Sequence, residues 1–356
     1  MESPAQQQPV AAATAGSLPT PSETHHNIVS LETFWVPLPS AFRFPEGHTH
    51  TLTAYPLTDR SQVAERIRDA SIVLLSVLQL DAALLSAEVC PHLRMIAVVA
   101  SGTDNIDLEA CRRRGIHVAN TPHANADSVA EHALALYFAA RRSQGPRLLH
   151  TLNGPDGKMP RTSAHEIVGI VGYGAVGKKV ARLFGALGMR VMVSGRKGDA
   201  AATTKQEAGE EEARVPFDTV LRAASVLVLC LPRLPSTENL IGAAELEAMP
   251  QHAVLVNVAR GGIVDERALV EALRRRSIAG AATDVYAREP AGPETGTPLL
   301  LPGDDDDDDD ESLRDLNLIT TPHVAWCAED TNRNYNDMTV ENVFSWLDGR
   351  GTNTVL

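Results

Sequence analysis

From Ile167 to Gly188 the sequence reads IVGIVGYGAVGKKVARLFGALG. A short β-branched run leads into Gly172, Gly174 and Gly177 in G-x-G-x-x-G spacing, and an Ala- and Leu-rich helical pattern follows; few folds accommodate that order. Gly172 permits a tight turn, Gly174 lets the backbone approach a pyrophosphate, and Gly177 lets the helix pack close to the strand. The helix N-terminus adds free N–H groups and a dipole suited to phosphate. The same letters could mark a purely structural turn. The strand before and the helix after favour a dinucleotide site, built from Gly172, Tyr173, Gly174, Ala175, Val176 and Gly177.

Strand-like runs recur around this unit: IVGIVG (167–172), RVMVS (190–194), SVLVLCL (225–231), AVLVNVA (253–259), GAATDV (280–285) and NLITT (317–321), mostly separated by helical patterns. Six strands with intervening helices describe a doubly wound parallel sheet. Upstream, SIVLLSV (71–77) and RMIAVVAS (94–101) read as buried strands of a second, smaller α/β domain. ADSVAEHALALYFAARR (126–142) reads as an amphipathic helix that Asp127 or Ser128 can cap. QGPRLLHTLNGPDGKMPRTS (144–163) reads as a linker. The last 28 residues, from Glu329 onward, hold one more amphipathic helix, expected to pack back onto the first domain.

Composition narrows the function classes. The run Asp304–Glu311 holds eight carboxylates, and removing them from the formal net charge of −13 leaves −5. Such a chain has no electrostatic footprint for nucleic acid. It also has no apolar run long enough to span a membrane and no basic amphipathic helix. The aspartate run reads as a solvated loop rather than a metal cage, and no metal site is expected. Cys90, Cys111, Cys230 and Cys327 form no CxxC pair and read as reduced, small buried side chains. Residues 1–26 contain no Lys or Arg and no long apolar core. They read as a disordered tail, and the protein as cytoplasmic.

One helix after the glycine turn, VMVSGRKG (191–198) offers Ser194, Arg196 and Lys197, with Gly195 where a dinucleotide fold usually places an acid. An acidic side chain there would accept from the ribose 2′-hydroxyl and repel a 2′-phosphate. Cations there can pair with that phosphate. The loop is either a solvated basic turn or a 2′-phosphate site, and the second reading predicts preference for NADP(H), with NAD(H) the alternative.

NVARGGIVDE (257–266), TDVYAREP (283–290) and TTPHVAW (320–326) bring ionisable groups to strand ends, where open α/β sheets bind ligands. Arg260 precedes Gly261–Gly262 and can clamp a carboxylate while polarising a neighbouring carbonyl. His323 can give a proton to a forming alkoxide and take it back in reverse. Glu289 can hold that imidazole, and a nearby carboxylate favours its charged form. Each alone has a dull reading, as a loop cation, a surface carboxylate or a satisfied histidine. Their shared placement beside a nucleotide fold points to catalysis.

These motifs, with VVASGTDNIDLEAC, SVAEHALAL, LCLPRLPSTENLI, VLVNVARGGIVDE and TPHVAW, resemble the D-isomer-specific 2-hydroxyacid dehydrogenase family from about residue 70 to 345. The resemblance implies two Rossmann-like α/β domains with the active site in the cleft between them. The expected division is 27–122 plus 324–356 as substrate domain and 123–323 as cofactor domain, with an acidic insertion at 303–312. It implies Arg260, Glu289 and His323 as the catalytic set. The backbone at Ser101 and Gly102 would take the substrate carboxylate, with Val77 on a facing loop. Asp284 and Ala259 would hold the nicotinamide end, with Val258 and Ala325 also on the cofactor, and Leu231, Pro232 and Thr237 would line its adenosine and phosphate side. Trp326 either caps the substrate pocket or packs in a core.

HVAW and the basic SGRK turn are most similar to glycerate dehydrogenases and hydroxypyruvate or glyoxylate reductases. Ser101 and Thr103 depart from the commoner form of the carboxylate loop, and no appended regulatory domain is evident. The expected protein is an NADP(H)-preferring oxidoreductase of a small 2-oxo or 2-hydroxy acid, and a homodimer. The other class open to this scaffold is a cofactor-sensing corepressor-like binding protein.

Overall fold

A computed structural model describes residues 23–39, 41–142, 156–199, 203–207, 210–292, 296–300 and 316–356. The aspartate run, most of the expected tail and residues 144–155 of the linker lie outside the described residues. The chain divides into two units, Met1–Asn125 with Ala328–Leu356, and Ala126–Cys327.

The first unit runs β1 (His25–Ser30), β2 (Thr49–Ala54), α1 (Arg60–Arg66), β3 (Ile72–Leu75), β4 (Met95–Val98), α2 (Leu108–Arg114) and β5 (His117–Ala119). All five strands are parallel, in the order β2-β1-β3-β4-β5. Ile72–Leu75 is buried at every position, as expected for a strand covered on both faces. Val29 and Val73 face Val63 and Ile67 on one side. Ile28 and Leu74 meet Val343, Trp346 and Leu347 on the other. Asp107 caps α2 by accepting the Ala110 N–H, and Gly115 closes it at φ 65°, the left-handed conformation glycine adopts without strain.

The second unit opens with α3 (Ala126–Arg141) and continues β6 (Ile167–Val171), α4 (Ala175–Ala186), β7 (Arg190–Val193), β8 (Thr203–Glu207), β9 (Glu210–Arg214), α5 (Phe217–Ala223), β10 (Val226–Leu229), α6 (Ala243–Ala248), β11 (Val254–Asn257), α7 (Glu266–Arg274), β12 (Gly280–Thr283) and β13 (Leu318–Thr320). α8 (Glu329–Leu347) then returns to the first unit. Six strands form a parallel sheet ordered β13-β12-β11-β10-β6-β7, while β8 and β9 form a separate two-stranded sheet. All six strands expected here are present, and both sheets have the doubly wound arrangement.

At the N-terminal edge of this sheet Arg141 is buried. Its Nε lies 3.1 Å from Glu166 Oε1, and its Nη atoms donate to the His252 and Ser225 carbonyls at 2.7 Å. A buried ion pair needs such extra bonds to offset its desolvation.

Several expectations are corrected. β1 begins at His25, inside the stretch expected as tail. β2, whose six residues are all exposed, and the three-residue β5 were not expected. α3 starts at Ala126, so Asp127 and Ser128 lie in its first turn instead of capping it. Cys90 and Cys111 are buried as expected, but Cys327 is exposed. Burial pushes the Cys111 thiol up to about 11 and the Cys230 thiol to about 12, so neither is a nucleophile at neutral pH. No helix among the described residues is long and apolar enough to cross a membrane. No group of three or more His, Cys, Asp or Glu there could hold a metal ion.

Candidate functional site

Strand register explains why three distant segments supply one site. Asn257 pairs with Thr283, and Thr283 with Thr320, so β11, β12 and β13 end on one row. Arg260, Tyr286 and His323 each lie three residues past that row. Leu229 pairs with both Asn257 and Val171, which sets the glycine turn at the same edge. In open α/β sheets this carboxyl edge is where ligands bind, near the point where strand order reverses, here between β6 and β10.

His323 Nδ1 lies 2.6 Å from Glu289 Oε2. The other oxygen, Oε1, accepts the Tyr286 N–H at 2.9 Å, which fixes the carboxylate in place. Nε2 of His323 has no partner among the described residues, so it is the nitrogen able to exchange a proton with a substrate. His323 has φ 53°, left-handed backbone that a non-glycine residue adopts at a cost. Its N–H donates to the Asp284 carbonyl at 2.8 Å, and its own carbonyl accepts from Trp326 Nε1 at 2.9 Å. Trp326 thus braces the histidine loop through its indole N–H.

Asp284, expected at the nicotinamide end, has a nearly inaccessible carboxylate. Oδ1 accepts from the Thr321 hydroxyl at 2.6 Å and the Val324 N–H at 2.9 Å, while Oδ2 accepts the Ala325 N–H at 2.8 Å. Because Thr321 spends its proton on Asp284, it accepts from His132 Nε2 at 3.0 Å. Burial would raise the Asp284 carboxyl, but the His132 ring nitrogen 3.6 Å away and the bonds from Thr321, Ala325 and Val324 hold it below the usual carboxylate range. Asp284 therefore clamps the segment that carries His323. His132, on α3, was not singled out from sequence; nothing local marks it, since its partner is 189 residues away.

Arg260 leaves β11 on a loop held by Asn257, whose side chain donates to the Arg260 carbonyl at 3.2 Å and accepts the Ala259 N–H at 3.1 Å. Nη1 of Arg260 donates to the Ala259 carbonyl at 2.9 Å. A Cβ on Gly261 would lie 1.7 Å from the Tyr286 carbonyl oxygen. Only glycine lets this loop press against the segment that anchors Glu289.

The glycine turn fits a dinucleotide. Gly172 has φ 92°, and a Cβ there would lie 2.4 Å from the Cys230 carbonyl oxygen. A Cβ on Gly177 would come within 2.2 Å of the Gly172 carbonyl oxygen, whereas one on Gly174 would meet nothing within 4 Å. The turn and the close helix packing are thus built by Gly172 and Gly177. Gly174 faces open space at the N-cap of α4, where a pyrophosphate would need room. Val258, Ala259 and Ala325 are buried along the same edge. Thr237 accepts the Leu234 N–H at 2.7 Å and donates to the Pro232 carbonyl at 2.9 Å, closing the loop after Leu231.

The basic loop departs from expectation in two side chains. Ser194 is buried and donates to the Gly195 carbonyl at 2.7 Å, so its proton is already spent. Lys197 Nζ lies 2.8 Å from Glu245 Oε1. Arg196 is exposed.

In the first unit, Ser101 Oγ donates to Asn125 Oδ1 at 2.9 Å, and Asn120 holds the Ser101 carbonyl at 2.8 Å. Val77 is 59% exposed on a tightly held loop. Buried Glu32, also missed from sequence, accepts the N–H groups of Ser76, Val77 and Leu78 on one oxygen at 2.9–3.0 Å. Asn105 donates to the Ser76 and Leu78 carbonyls at 3.2 and 2.9 Å.

Comparison with known proteins identifies the family. A family model for the D-isomer specific 2-hydroxyacid dehydrogenase, NAD binding domain, matches residues 133–325. A glycerate dehydrogenase of Methylorubrum extorquens is 34% identical over 324 residues, spanning 88% of this chain and 93% of its own. A glyoxylate reductase of Aeropyrum pernix is 33% identical over 296 residues, covering 80% and 82% of the two chains. Among solved structures, the NADPH-dependent glyoxylate/hydroxypyruvate reductase of Sinorhizobium meliloti in complex with NADP and malonate superposes with TM-score 0.68. It is 26% identical, over 93% of this chain and 96% of that one. The matched segment contains the glycine turn and the whole Arg260, Glu289 and His323 row, and the chain belongs to the D-isomer specific 2-hydroxyacid dehydrogenase family of NAD(P)-dependent oxidoreductases.

Proposed function

We propose that the protein reduces a small 2-oxo acid, glyoxylate or hydroxypyruvate, with NADP(H) preferred over NAD(H). The observation that carries the chemistry is the 2.6 Å pair of His323 Nδ1 and Glu289 Oε2 at the carboxyl edge of the cofactor-domain sheet. Support for the substrate comes from the names of the glycerate and glyoxylate enzymes it resembles. Support for the cofactor comes from the basic loop and from the NADPH-dependent relative.

When bound, the nicotinamide supplies or accepts the hydride at C2 of the acid. Arg260 orients the substrate carboxylate and polarises the C2 carbonyl. His323 delivers the proton from Nε2 to the oxygen as the alcohol forms, and recovers one from solvent. Glu289 keeps Nδ1 facing inward, so that Nε2 faces the reacting oxygen, and supplies a counter-charge when the ring is protonated. Ser101, Gly102 and Val77 enter the proposal as substrate contacts on the strength of the family resemblance, as does a dimer of the 38.2 kDa chain.

The test is His323→Ala, assayed with glyoxylate and hydroxypyruvate and each cofactor. Turnover should fall by about 10²–10⁴-fold, the usual contribution of a general acid, while NADPH binding measured by fluorescence persists. Unchanged kcat refutes the assignment. Absence of turnover in the unmutated protein, with cofactor-dependent capture of a partner, favours the binding-protein class.

A further inference from the structure

We propose that Glu245 is a specificity-determining residue: it holds Lys197 in an ion pair, weakening the pull of the 194–198 loop on an adenosine 2′-phosphate and leaving Arg196 as its principal cation. The proposal rests on the reading that this loop faces the adenosine ribose. Register supports that placement. Ile170 pairs with Val193, so Gly195 leaves β7 level with Gly172 of the glycine turn on the neighbouring strand.

Both oxygens of Glu245 are in use. Oε1 meets Lys197 Nζ at 2.8 Å, and Oε2 accepts the Gly242 N–H at 3.0 Å at the start of α6. The carboxylate side chain is only 14% exposed, whereas that of Lys197 is 45% exposed. The acid is thus the fixed partner and the lysine the movable one. Burial alone would raise the Glu245 carboxyl, yet the bonds from Lys197 and Gly242 outweigh it and hold the group below its ordinary value. Glu245 therefore presents a carboxylate to Lys197 at neutral pH. The Lys197 ammonium also lies 3.5 Å from the Leu240 carbonyl oxygen, a second tie to the same segment.

Of the three groups the loop offers a phosphate, the Ser194 hydroxyl already donates its hydrogen bond to the Gly195 carbonyl and Lys197 is shared with a carboxylate. Arg196 is exposed and has no ion pair among the described residues. Binding NADP(H) through Lys197 requires breaking the pair with Glu245. Binding NAD(H), which has no 2′-phosphate, leaves the pair intact. Glu245 thus narrows the gap between the two cofactors without touching either one.

Glu245→Gln is the direct test. Glutamine keeps an acceptor for the Gly242 N–H, and so keeps the start of α6, but removes the charge that holds Lys197. Dissociation constants for NADPH and NADH, measured by fluorescence titration, are the readout. Freeing an ion pair of surface strength should tighten NADPH about fivefold and move NADH by less than about twofold. In the Glu245→Gln background, adding Lys197→Ala should abolish the gain. If Arg196→Ala shifts the NADPH-to-NADH ratio but Glu245→Gln does not, the role of Glu245 is overturned while the reading of the loop stands. If neither shifts the ratio, the reading of the loop fails and the proposal with it.

Discussion

Glu289→Gln exchanges one carboxylate oxygen for an NH2 group and leaves the side chain's shape unchanged. In the structure the two oxygens have separate tasks, one accepting the Tyr286 N–H at 2.9 Å and the other facing His323 Nδ1 at 2.6 Å. A glutamine has a single acceptor atom to serve both. If its oxygen keeps the Tyr286 N–H, its NH2 group meets Nδ1 and forces that nitrogen to accept. The imidazole then carries its proton on Nε2, and a doubly protonated ring points an N–H at another N–H. If the amide turns over, the Tyr286 N–H is the group left facing NH2. Either way one bond to a charged acceptor is lost, worth about 1.5–3 kcal/mol. Because the charged or correctly oriented ring is needed in the transition state, kcat should fall by about 10- to 150-fold. The assay is steady-state oxidation of NADPH with glyoxylate or hydroxypyruvate at saturation, paired with fluorescence titration of the cofactor. Cofactor affinity should stay unchanged, since nothing in the glycine turn is touched. A kcat within about threefold of the parent, with affinity unchanged, refutes the role given to Glu289.

Two further outcomes concern the first unit. Burial pushes the His117 imidazole down to about 4, against about 6.5 in an unfolded chain. Its folded value is the lower one, so protons bind preferentially to the unfolded state. The stabilisation is complete above about pH 6.5 and is lost as pH falls toward 4, a loss of about 3 kcal/mol. Thermal melts between pH 7 and 4.5 should show this decline, and His117→Phe, which keeps the ring beside Trp346, should flatten it; an equally steep decline in the variant refutes the assignment. Glu32→Ala removes the acceptor for three N–H groups of the loop carrying Val77. KM for the 2-oxo acid should rise by about tenfold with NADPH affinity unchanged, the cost of about one hydrogen bond's worth of loop order. Equal KM in the two proteins would show that the loop keeps its geometry without Glu32.

What could be read from sequence divides along a physical line. β6, α4 and the strands from β10 to β13 announce themselves, because a strand covered on both faces is a continuous apolar run and a glycine turn has fixed spacing. β2 is exposed at all six positions and β5 is three residues long, so neither leaves a hydrophobic signature. The proposed catalytic row was legible for a related reason. Arg260 and His323 follow their strands by the same offset, and Glu289 follows on the loop after the strand between. Parallel register turns sequence offsets into a shared edge. Side chains whose roles come from a distant partner left no local trace. His132 acquires its place from Thr321, Glu32 from the loop after β3, and Glu245 from Lys197. The same blindness acts in the other direction on the basic loop. Ser194, Arg196 and Lys197 look alike as phosphate ligands when read in a row, but the fold spends the first on its own backbone and pairs the second cation with a glutamate on another helix. Chain-local chemistry therefore proposes a ligand for the loop. How strongly it discriminates depends on a tertiary ion pair, and that is the quantity Glu245→Gln measures.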